Sequence, residues 1–301
     1  KKLYGLNASG RSPKKLTLDY FERQGLEKIP SHGPLPLSVP GALDGWFELH
    51  EKFGSKPMSE ILAPAIHYAQ NGFPLTELIA WYMHRTVPFF ESKGFPNIED
   101  TYKNQNGGKL PNEGEIYKNV YLANTYKKIA ERGRDVFYKG EIAETIGKFI
   151  KEQGGFLSFK DLASHKSEWV EPVSINYRGY DVWELPPNGQ GIAALQMLKI
   201  LEGYDFSNIE FGSTEHLHLF TEAKKLAFED RAKYYADMDF TAVPLEQLLS
   251  ESYANSRREL IGDKAGLYSA GEISAGETIY MTVADNKGTM VSLIQSNYRG
   301  M

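Results

Sequence analysis

The clearest alternation of polar and apolar positions lies over residues 278–296. Two runs rich in β-branched and aromatic residues, Thr278–Asp285 and Thr289–Ser296, flank the tripeptide Asn286-Lys287-Gly288. A three-residue loop that ends in glycine is typical of a β-hairpin with a type I turn followed by a G1 bulge. The pattern therefore predicts a hairpin near the end of this chain.

The length of that loop also predicts which residues of the two strands face each other. Successive side chains of a strand point to opposite faces, so the ladder continues in steps of one residue on each side. One face is then apolar, and the other brings two hydroxyl groups together at the far end of the hairpin. The expected pairs are Asp285 with Thr289, Val283 with Val291, Met281 with Leu293, and Thr278 with Ser296.

Through most of the remaining chain, apolar residues recur every three to four positions, which is typical of helices with one buried face. Pro64 falls inside the second such segment, so that helix is expected to begin near Pro64 or to bend there, with Ser59 as an alternative cap. Its expected buried face consists of Ile61, Leu62, Ala65, Ile66 and Ala69. The predicted helices cover residues 41–53, 59–72, 76–89, 121–132, 139–153, 159–164, 191–201, 213–236 and 245–261.

The other segments complete a mixed pattern. Residues 93–118 are polar and rich in turn formers, which predicts an exposed loop. Residues 171–177 and 181–185 read as two strands joined by a turn at Arg178-Gly179. Helices come first and the 278–296 pair comes last, which favours α+β packing over regular βαβ winding. Both ends read as parts of strands, so we expect the chain to be an internal part of a longer sequence.

Composition narrows the functional classes. Among 301 residues, 34 Lys and Arg oppose 39 Asp and Glu, giving a net charge of −5, which argues against a general nucleic-acid binder. No window of about 18 consecutive apolar residues exists, so no membrane-spanning helix is predicted. The chain contains 0 cysteines, which excludes disulfides, thiolate metal sites and cysteine nucleophiles. A nucleophile in this chain must therefore be an oxygen, an amine or a metal-bound water.

Thr278 is the candidate nucleophile. It follows the small, polar segment 271–277 and opens a strand. A threonine at such a junction can attack the preceding carbonyl, shift the peptide to an ester and become a new N-terminus after hydrolysis. Its α-amine, with a pKa near about 8, would then act as the base for its own hydroxyl. The alternative is an ordinary β-branched strand residue.

Other polar residues have simpler interpretations. His216 and His218 stand two apart on a helix and point in different directions, so a joint metal site is not expected. Asp44 and Glu48 share one helix face, which is interpreted as a solvated acidic surface. Neither a metal nor a cofactor is predicted.

Several segments, taken in order, resemble the gamma-glutamyltransferase family. The resemblance runs over essentially the whole chain. It rests on Ser38-Val39-Pro40-Gly41-Ala42-Leu43-Asp44-Gly45-Trp46, Leu62-Ala63-Pro64-Ala65-Ile66, Pro186-Pro187-Asn188-Gly189-Gln190-Gly191, Glu222-Ala223 with Arg231, and the run from Thr278 to Asp285.

This resemblance implies the α+β fold of N-terminal-nucleophile hydrolases, a four-layer αββα sandwich. It implies a precursor cleaved between Glu277 and Thr278, so that residues 1–277 belong to the large subunit and 278–301 begin the small subunit of one continuous domain, truncated at both ends. It makes Thr278 the nucleophile, places at Ser296 a hydroxyl that hydrogen-bonds it, and places Asn297 or Tyr298 near a substrate-binding position. Residues of the oxyanion hole are expected beyond Met301.

Two departures from the family pattern bear on the substrate. Thr278-Ile279-Tyr280 replaces the usual Thr-Thr-His, and Arg11 is displaced within the segment that binds the substrate carboxylate. The expected activity is gamma-glutamyl transfer or hydrolysis on glutathione-like small molecules. An amidase for another acyl group such as glutaryl, and a non-cleaving homologue with a binding role, are the alternatives. The variants resemble a cytoplasmic branch, with secretion or a periplasmic location as the alternative. The expected partners are the protein's own small subunit and another copy in a homo-oligomer, with no nucleic acid or membrane.

Overall fold

The computed structural model describes residues 2–268 and 277–298. Positions 269–276, which include most of the small, polar segment 271–277, lie outside the described residues, as do positions 1 and 299–301. The strands are β1 (Gly5–Asn7), β2 (Phe73–Pro74), β3 (Ile116–Tyr117), β4 (Glu168–Val170), β5 (Val173–Tyr177), β6 (Tyr180–Glu184), β7 (Glu277–Ala284) and β8 (Met290–Tyr298). The helices are α1 (Leu18–Arg23), α2 (Ala42–Phe53), α3 (Met58–Asn71), α4 (Glu77–Ser92), α5 (Ile98–Tyr102), α6 (Val120–Arg132), α7 (Asp135–Tyr138), α8 (Glu141–Glu152), α9 (Phe159–Ala163), α10 (Gly191–Glu202), α11 (Thr214–Tyr234), α12 (Leu245–Leu248) and α13 (Glu251–Arg258).

The described residues fall into two compact units. The first, called the helical unit, comprises the described parts of 8–167 and 275–301, and the second comprises those of 1–7 and 168–274. All four sheets of the described chain are two-stranded and antiparallel: β1 with β4, β2 with β3, β5 with β6, and β7 with β8. Among the described residues, no helix is long and apolar enough to cross a membrane.

The core of the helical unit forms where α2, α3, α6, α7, α8 and α9 bury apolar side chains together. Tyr138 and Leu162 lie at its centre with no exposed surface. The buried members of this cluster are Val39, Leu43, Leu62, Ile129, Val136, Tyr138, Ala143, Ile150, Leu157 and Leu162. The predicted helices 41–53 and 121–132 are confirmed as α2 and α6, with small shifts at their ends.

Helix α3 differs from its prediction in three ways. It begins at Met58, so Ser59 is not its cap, and it continues through Pro64 instead of beginning there. Leu62 and Ala69 are buried on either side of the proline, and their burial offsets the hydrogen bond that Pro64 cannot donate. Ile61, expected on the buried face, is 47% exposed.

The predicted loop over 93–118 contains regular structure. It holds α5, a 3-10 turn at Asn104–Asn106 and strand β3. Leu110 is buried in a small cluster with Met83 and Val87, so apolar anchors order a segment whose composition is mostly polar.

The second unit is built on the β5–β6 hairpin and on α10 and α11. Tyr177 pairs with Tyr180, which leaves Arg178 and Gly179 as a two-residue turn with φ of 51° and 90°. The predicted turn at Arg178-Gly179 is therefore confirmed. The backbone twist of such a turn matches the twist of the two strands that it joins. Helix α10 contributes buried side chains to two apolar clusters. One cluster includes Ile175 of the β5–β6 hairpin, and the other includes Leu226 of α11.

The helix predicted over 245–261 is two helices. The hydroxyl oxygen of Ser250 accepts a hydrogen bond from the backbone N–H of Tyr253 at 3.2 Å, which starts α13 as a new helix after α12. A serine within a segment of helical apolar spacing favours the start of a new helix. Its side chain accepts a hydrogen bond from a backbone N–H that has no partner within that helix.

We expect Leu162→Ala to lower the free energy of unfolding by about 2–5 kcal/mol, because truncating a fully buried leucine loses transfer energy and leaves a cavity. The matched control is Leu78→Ala, since Leu78 is 60% exposed on α4. Urea unfolding monitored by circular dichroism measures both variants. Equal losses in the two variants would contradict the assigned core.

Candidate active site

The β7–β8 hairpin carries the predicted nucleophile. Its turn has the expected geometry: Asp285 and Thr289 join by a backbone hydrogen bond of 3.0 Å, and Gly288 adopts a φ of 76°. The Asp285 carboxylate also accepts from the backbone N–H of Lys287 and of Thr289, at 2.9 and 2.8 Å. These hydrogen bonds hold the pKa of Asp285 below its ordinary value and stabilise the turn.

The predicted register is confirmed over most of the ladder and changes at Thr278. Val283 faces Val291 and Met281 faces Leu293, as the turn length required. The same register continues to Ile279 opposite Gln295, but Glu277 then faces Tyr298. Strand β8 therefore has one residue more than β7 at this point, and Thr278 lies opposite both Ser296 and Asn297. This arrangement is a β-bulge, a feature that is common beside active sites because it redirects a side chain.

A side chain from α2 contacts this end of the hairpin. The indole Nε1 of Trp46 donates a hydrogen bond to Oε1 of Gln295 at 3.2 Å. Trp46 is half-buried and packs against the core of the helical unit, with its ring centroid 6.5 Å from that of Tyr126. No sequence spacing relates positions 46 and 295, and the sequence did not indicate this contact.

Two residues closer to its N-terminus, α2 carries a buried ion pair. The carboxylate of Asp44 is 1% exposed and accepts from Nε of Arg134 and from the backbone N–H of Ser167. Burial raises the pKa of Asp44, but the hydrogen bonds from Ser167 and Arg134 outweigh it and hold the pKa below its ordinary value. The expectation of a solvated acidic face is wrong for Asp44, because its partner Arg134 lies 90 positions away and could not be read from the helix itself.

Tyr138 and His165 complete the cluster around Asp44. The Tyr138 hydroxyl donates to the Pro40 carbonyl at 2.6 Å and accepts from the backbone N–H of Asp44 at 3.0 Å. The His165 ring stacks on Tyr138, and its Nε2 lies 3.8 Å from Oδ2 of Asp44. Burial lowers the pKa of His165, and the charges of Arg134 and Arg11 lower it further against the opposing effect of Asp44. His165 is therefore neutral at neutral pH.

The segment that carries Arg11 packs against the residues that lead into α2. The backbone carbonyl of Arg11 accepts from the N–H of Val39 at 3.0 Å. A Cβ added to Gly10 would lie 1.6 Å from the Val39 carbonyl oxygen, so only glycine permits this approach. Likewise, a Cβ on Gly41 would lie 1.9 Å from the carbonyl oxygen of Ala8. Arg11 itself is exposed, next to the buried Asp44 cluster.

The other candidates, His216 and His218, belong to α11 in the second unit. His216 lies among the rings of Phe206, Phe211 and Phe220, while Nε2 of His218 is 2.7 Å from the carbonyl of Gly262. Within residues 2–268 and 277–298, no group of three or more His, Asp or Glu side chains could hold a metal ion. Both histidines therefore have contacts within the second unit.

The comparison with known proteins decides the family. The sequence model of the gamma-glutamyltranspeptidase family matches residues 1–301. This chain belongs to the gamma-glutamyltranspeptidase family. The resemblance seen in the sequence is thereby confirmed.

Relatives within the gamma-glutamyltranspeptidase family have several names. The glutathione hydrolase-like YwrD proenzyme of Bacillus subtilis is 38% identical over 97% of this chain and 54% of its own length. The cephalosporin acylase of Bacillus halodurans superposes with a TM-score of 0.90 at 41% identity, over 99% of this chain and 55% of that one. The gamma-glutamyltranspeptidase of Helicobacter pylori gives a TM-score of 0.80 at 30% identity, over 88% of this chain and 76% of that one. The chain therefore spans about half the length of the first two, and its expected α+β, N-terminal-nucleophile hydrolase fold is confirmed.

We expect Asp44→Asn to lower the free energy of unfolding at pH 7 by about 3 kcal/mol, because it leaves the Arg134 charge partly buried without its counter-ion. Since the pKa of Asp44 is lower in the folded protein, the wild type should lose this stabilisation as the pH falls below 3.8, the ordinary carboxyl value. The variant should lack that part of the pH dependence. Urea unfolding between pH 7 and pH 3 measures both effects.

The control for this substitution is Glu51→Gln, an exposed carboxylate on the same helix. Its unfolding free energy should stay within about 0.5 kcal/mol of the wild type. A loss at Glu51 as large as that at Asp44 would contradict the role of the buried pair.

Proposed function

We propose that this protein is an autoprocessed acyl-transfer enzyme whose nucleophile is Thr278. The observation that carries the proposal is the β-bulge at Thr278 opposite Ser296, within a chain of the gamma-glutamyltranspeptidase family. The bulge interrupts the ladder at the one threonine that follows the small, polar segment. Two relatives described as proenzymes support a cleaved precursor: the YwrD protein and the glutathione hydrolase of Escherichia coli.

Processing begins at the bond between Glu277 and Thr278. The Thr278 hydroxyl adds to the Glu277 carbonyl carbon, the C–N bond breaks, and Glu277 becomes an ester on the Thr278 oxygen. Water then hydrolyses this ester, which releases the Glu277 carboxylate and leaves a free α-amine on Thr278. Residues from 278 onward would then form the protein's own small subunit.

Turnover uses the same oxygen and the new amine. The Thr278 hydroxyl adds to the amide carbonyl of the substrate while its proton passes to the α-amine, which is partly unprotonated near neutral pH. The amine then gives this proton to the departing nitrogen, and an acyl ester remains on Thr278. Water or an acceptor amine attacks the ester and regenerates the hydroxyl. Ser296 would donate a hydrogen bond to the nucleophile, and Asn297 or Tyr298 would contact the substrate.

The proposed substrates are amides of five-carbon dicarboxylic acids. A gamma-glutamyl group and a glutaryl group have the same carbon skeleton between the scissile carbonyl and the distal carboxylate, and they differ only by the α-ammonium group. One guanidinium, here assigned to Arg11, can therefore bind the carboxylate of either acyl group. We propose gamma-glutamyl compounds such as glutathione as the main substrates. The likeness to the Bacillus halodurans cephalosporin acylase favours a glutaryl-type amide as the second candidate.

The place of the reaction and the assembly are also proposed. The departures at Thr278-Ile279-Tyr280 and at Arg11 resemble those of the cytoplasmic branch, so we assign the reaction to the cytoplasm. Cell fractionation with an antibody against the protein tests this assignment. Light scattering tests whether the processed protein forms a homo-oligomer.

We expect Thr278→Ala to abolish both cleavage and turnover, because the substitution removes the attacking oxygen of each step. Intact mass spectrometry measures cleavage, and release of a chromogenic amine from a gamma-glutamyl amide measures turnover. The control is Thr282→Ala, an exposed threonine on the same strand that should still cleave and turn over. Cleavage by the Thr278→Ala protein would exclude this nucleophile, and an uncleaved wild type would favour the non-cleaving binding homologue.

We expect Arg11→Met to raise KM about 10- to 100-fold for both gamma-glutamyl and glutaryl amides, because each loses a charged hydrogen bond to its carboxylate. Steady-state kinetics on the two chromogenic amides measures the change, with Arg23→Met on α1 as the surface control. The wild-type ratio of kcat/KM between the two amides then identifies the preferred acyl group. An unchanged KM in the Arg11 variant would remove this residue from the substrate site.

A further inference from the structure

The bulge at Thr278 depends on which residue of β8 faces Ile279. Side chains alternate between the faces of a strand, so a slip by one residue would move Ser296 to the opposite face of the hairpin. The described ladder places Gln295 opposite Ile279, immediately before the extra residue of β8. Whatever holds Gln295 in place therefore also holds the bulge at Thr278.

The side chain of Gln295 accepts a hydrogen bond from the indole N–H of Trp46. An indole N–H is only a donor, so it requires the carbonyl oxygen of the Gln295 amide and fixes the orientation of that side chain. Gln295 and its neighbour Ser296 point to opposite faces of β8. Trp46 consequently contacts the hairpin from the face opposite to Ser296, behind the proposed chemistry.

Helix α2 gives Trp46 a rigid support. Positions 44 and 46 are separated by about 200° around a helix, so they face nearly opposite directions. On one side, Asp44 is held by Arg134, Ser167 and, through its backbone N–H, the Tyr138 hydroxyl. On the other side, Trp46 reaches the hairpin. The helix therefore links a buried, fully engaged ion pair to the register of the strand that carries Ser296.

We propose that Trp46 is a positioning residue for the nucleophile: its hydrogen bond to Gln295 holds the last regular pair of the ladder, Gln295 opposite Ile279, so that the bulge and Ser296 stay opposite Thr278. This inference rests on the proposed function, because it assumes that Thr278 is the attacking residue. It adds a residue that acts through β8 without contacting the substrate. Misplacing a reacting group by about 1 Å can cost about 100-fold in rate, so a loosened register is measurable.

The test is a double-mutant cycle of Trp46→Phe and Gln295→Leu. Trp46→Phe keeps an aromatic ring but removes the donor, and Gln295→Leu removes the acceptor at similar size. Each single variant should cleave itself about 3- to 10-fold more slowly. Each should also turn over with kcat, per processed molecule, lowered about 10-fold while KM stays within about twofold. The double variant should be no slower than the slower single variant, because both substitutions remove one hydrogen bond.

The matched control is Trp81→Phe, since Trp81 is 51% exposed on α4, and its cleavage and kcat should equal those of the wild type. A purely structural role for Trp46 would lower the melting temperature without changing kcat per processed molecule, and would overturn the inference. Multiplicative losses in the double variant would overturn it as well. Should Trp46→Phe fail to fold, Gln295→Leu alone must show the kcat loss with an unchanged KM. A wild-type protein that neither cleaves nor turns over would instead reject the proposed function and the inference with it.

Discussion

The buried ion pair between Asp44 and Arg134 is the constraint on which the arrangement of the helical unit depends. Asp44 is fully buried and Arg134 is partly buried, and such a pair is tolerated only when its remaining hydrogen-bonding groups are satisfied. The Asp44 carboxylate meets this condition by also accepting from Ser167, while Arg134 donates to the His165 carbonyl at 2.7 Å. These bonds join the start of α2 to α7 and to the segment after α9, which are distant in sequence.

Two features of the proposed site contact α2, the helix that carries Asp44, or the residues that lead into it. The residues that enter α2 hold the segment of Arg11 through Val39, with Gly10 and Gly41 allowing the close approach. Further along α2, Trp46 contacts β8 beside the bulge. The arginine proposed to bind the substrate carboxylate and the strand that carries the proposed nucleophile would thus both be held in place by one short helix. The proposed acyl transfer on a dicarboxylic substrate requires these two groups at a fixed separation.

The elements that differ from their sequence predictions do so for a common physical reason. Local patterns describe what a segment favours on its own, whereas packing decides which preference prevails. Leu62 and Ala69 keep α3 continuous across Pro64, and Leu110 orders a segment that reads as loop. Ser250 is the opposite case. It caps α13 and so divides the segment predicted as one helix into two. The sequence predicts a solvated Asp44 because its helix alone offers it no partner.

The sequence by itself determined the local elements: the amphipathic helices, the Arg178-Gly179 turn and the hairpin register as far as Ile279. These follow from short-range rules of side-chain period and turn length. Thr278 is the candidate nucleophile through the family resemblance, in a chain without cysteine. The tertiary structure alone decided the bulge opposite Ser296, the burial of Asp44 against Arg134 and the contact of Trp46 with Gln295. Each joins residues far apart in the chain, and their distances are set by the packing of whole helices, which no local period encodes.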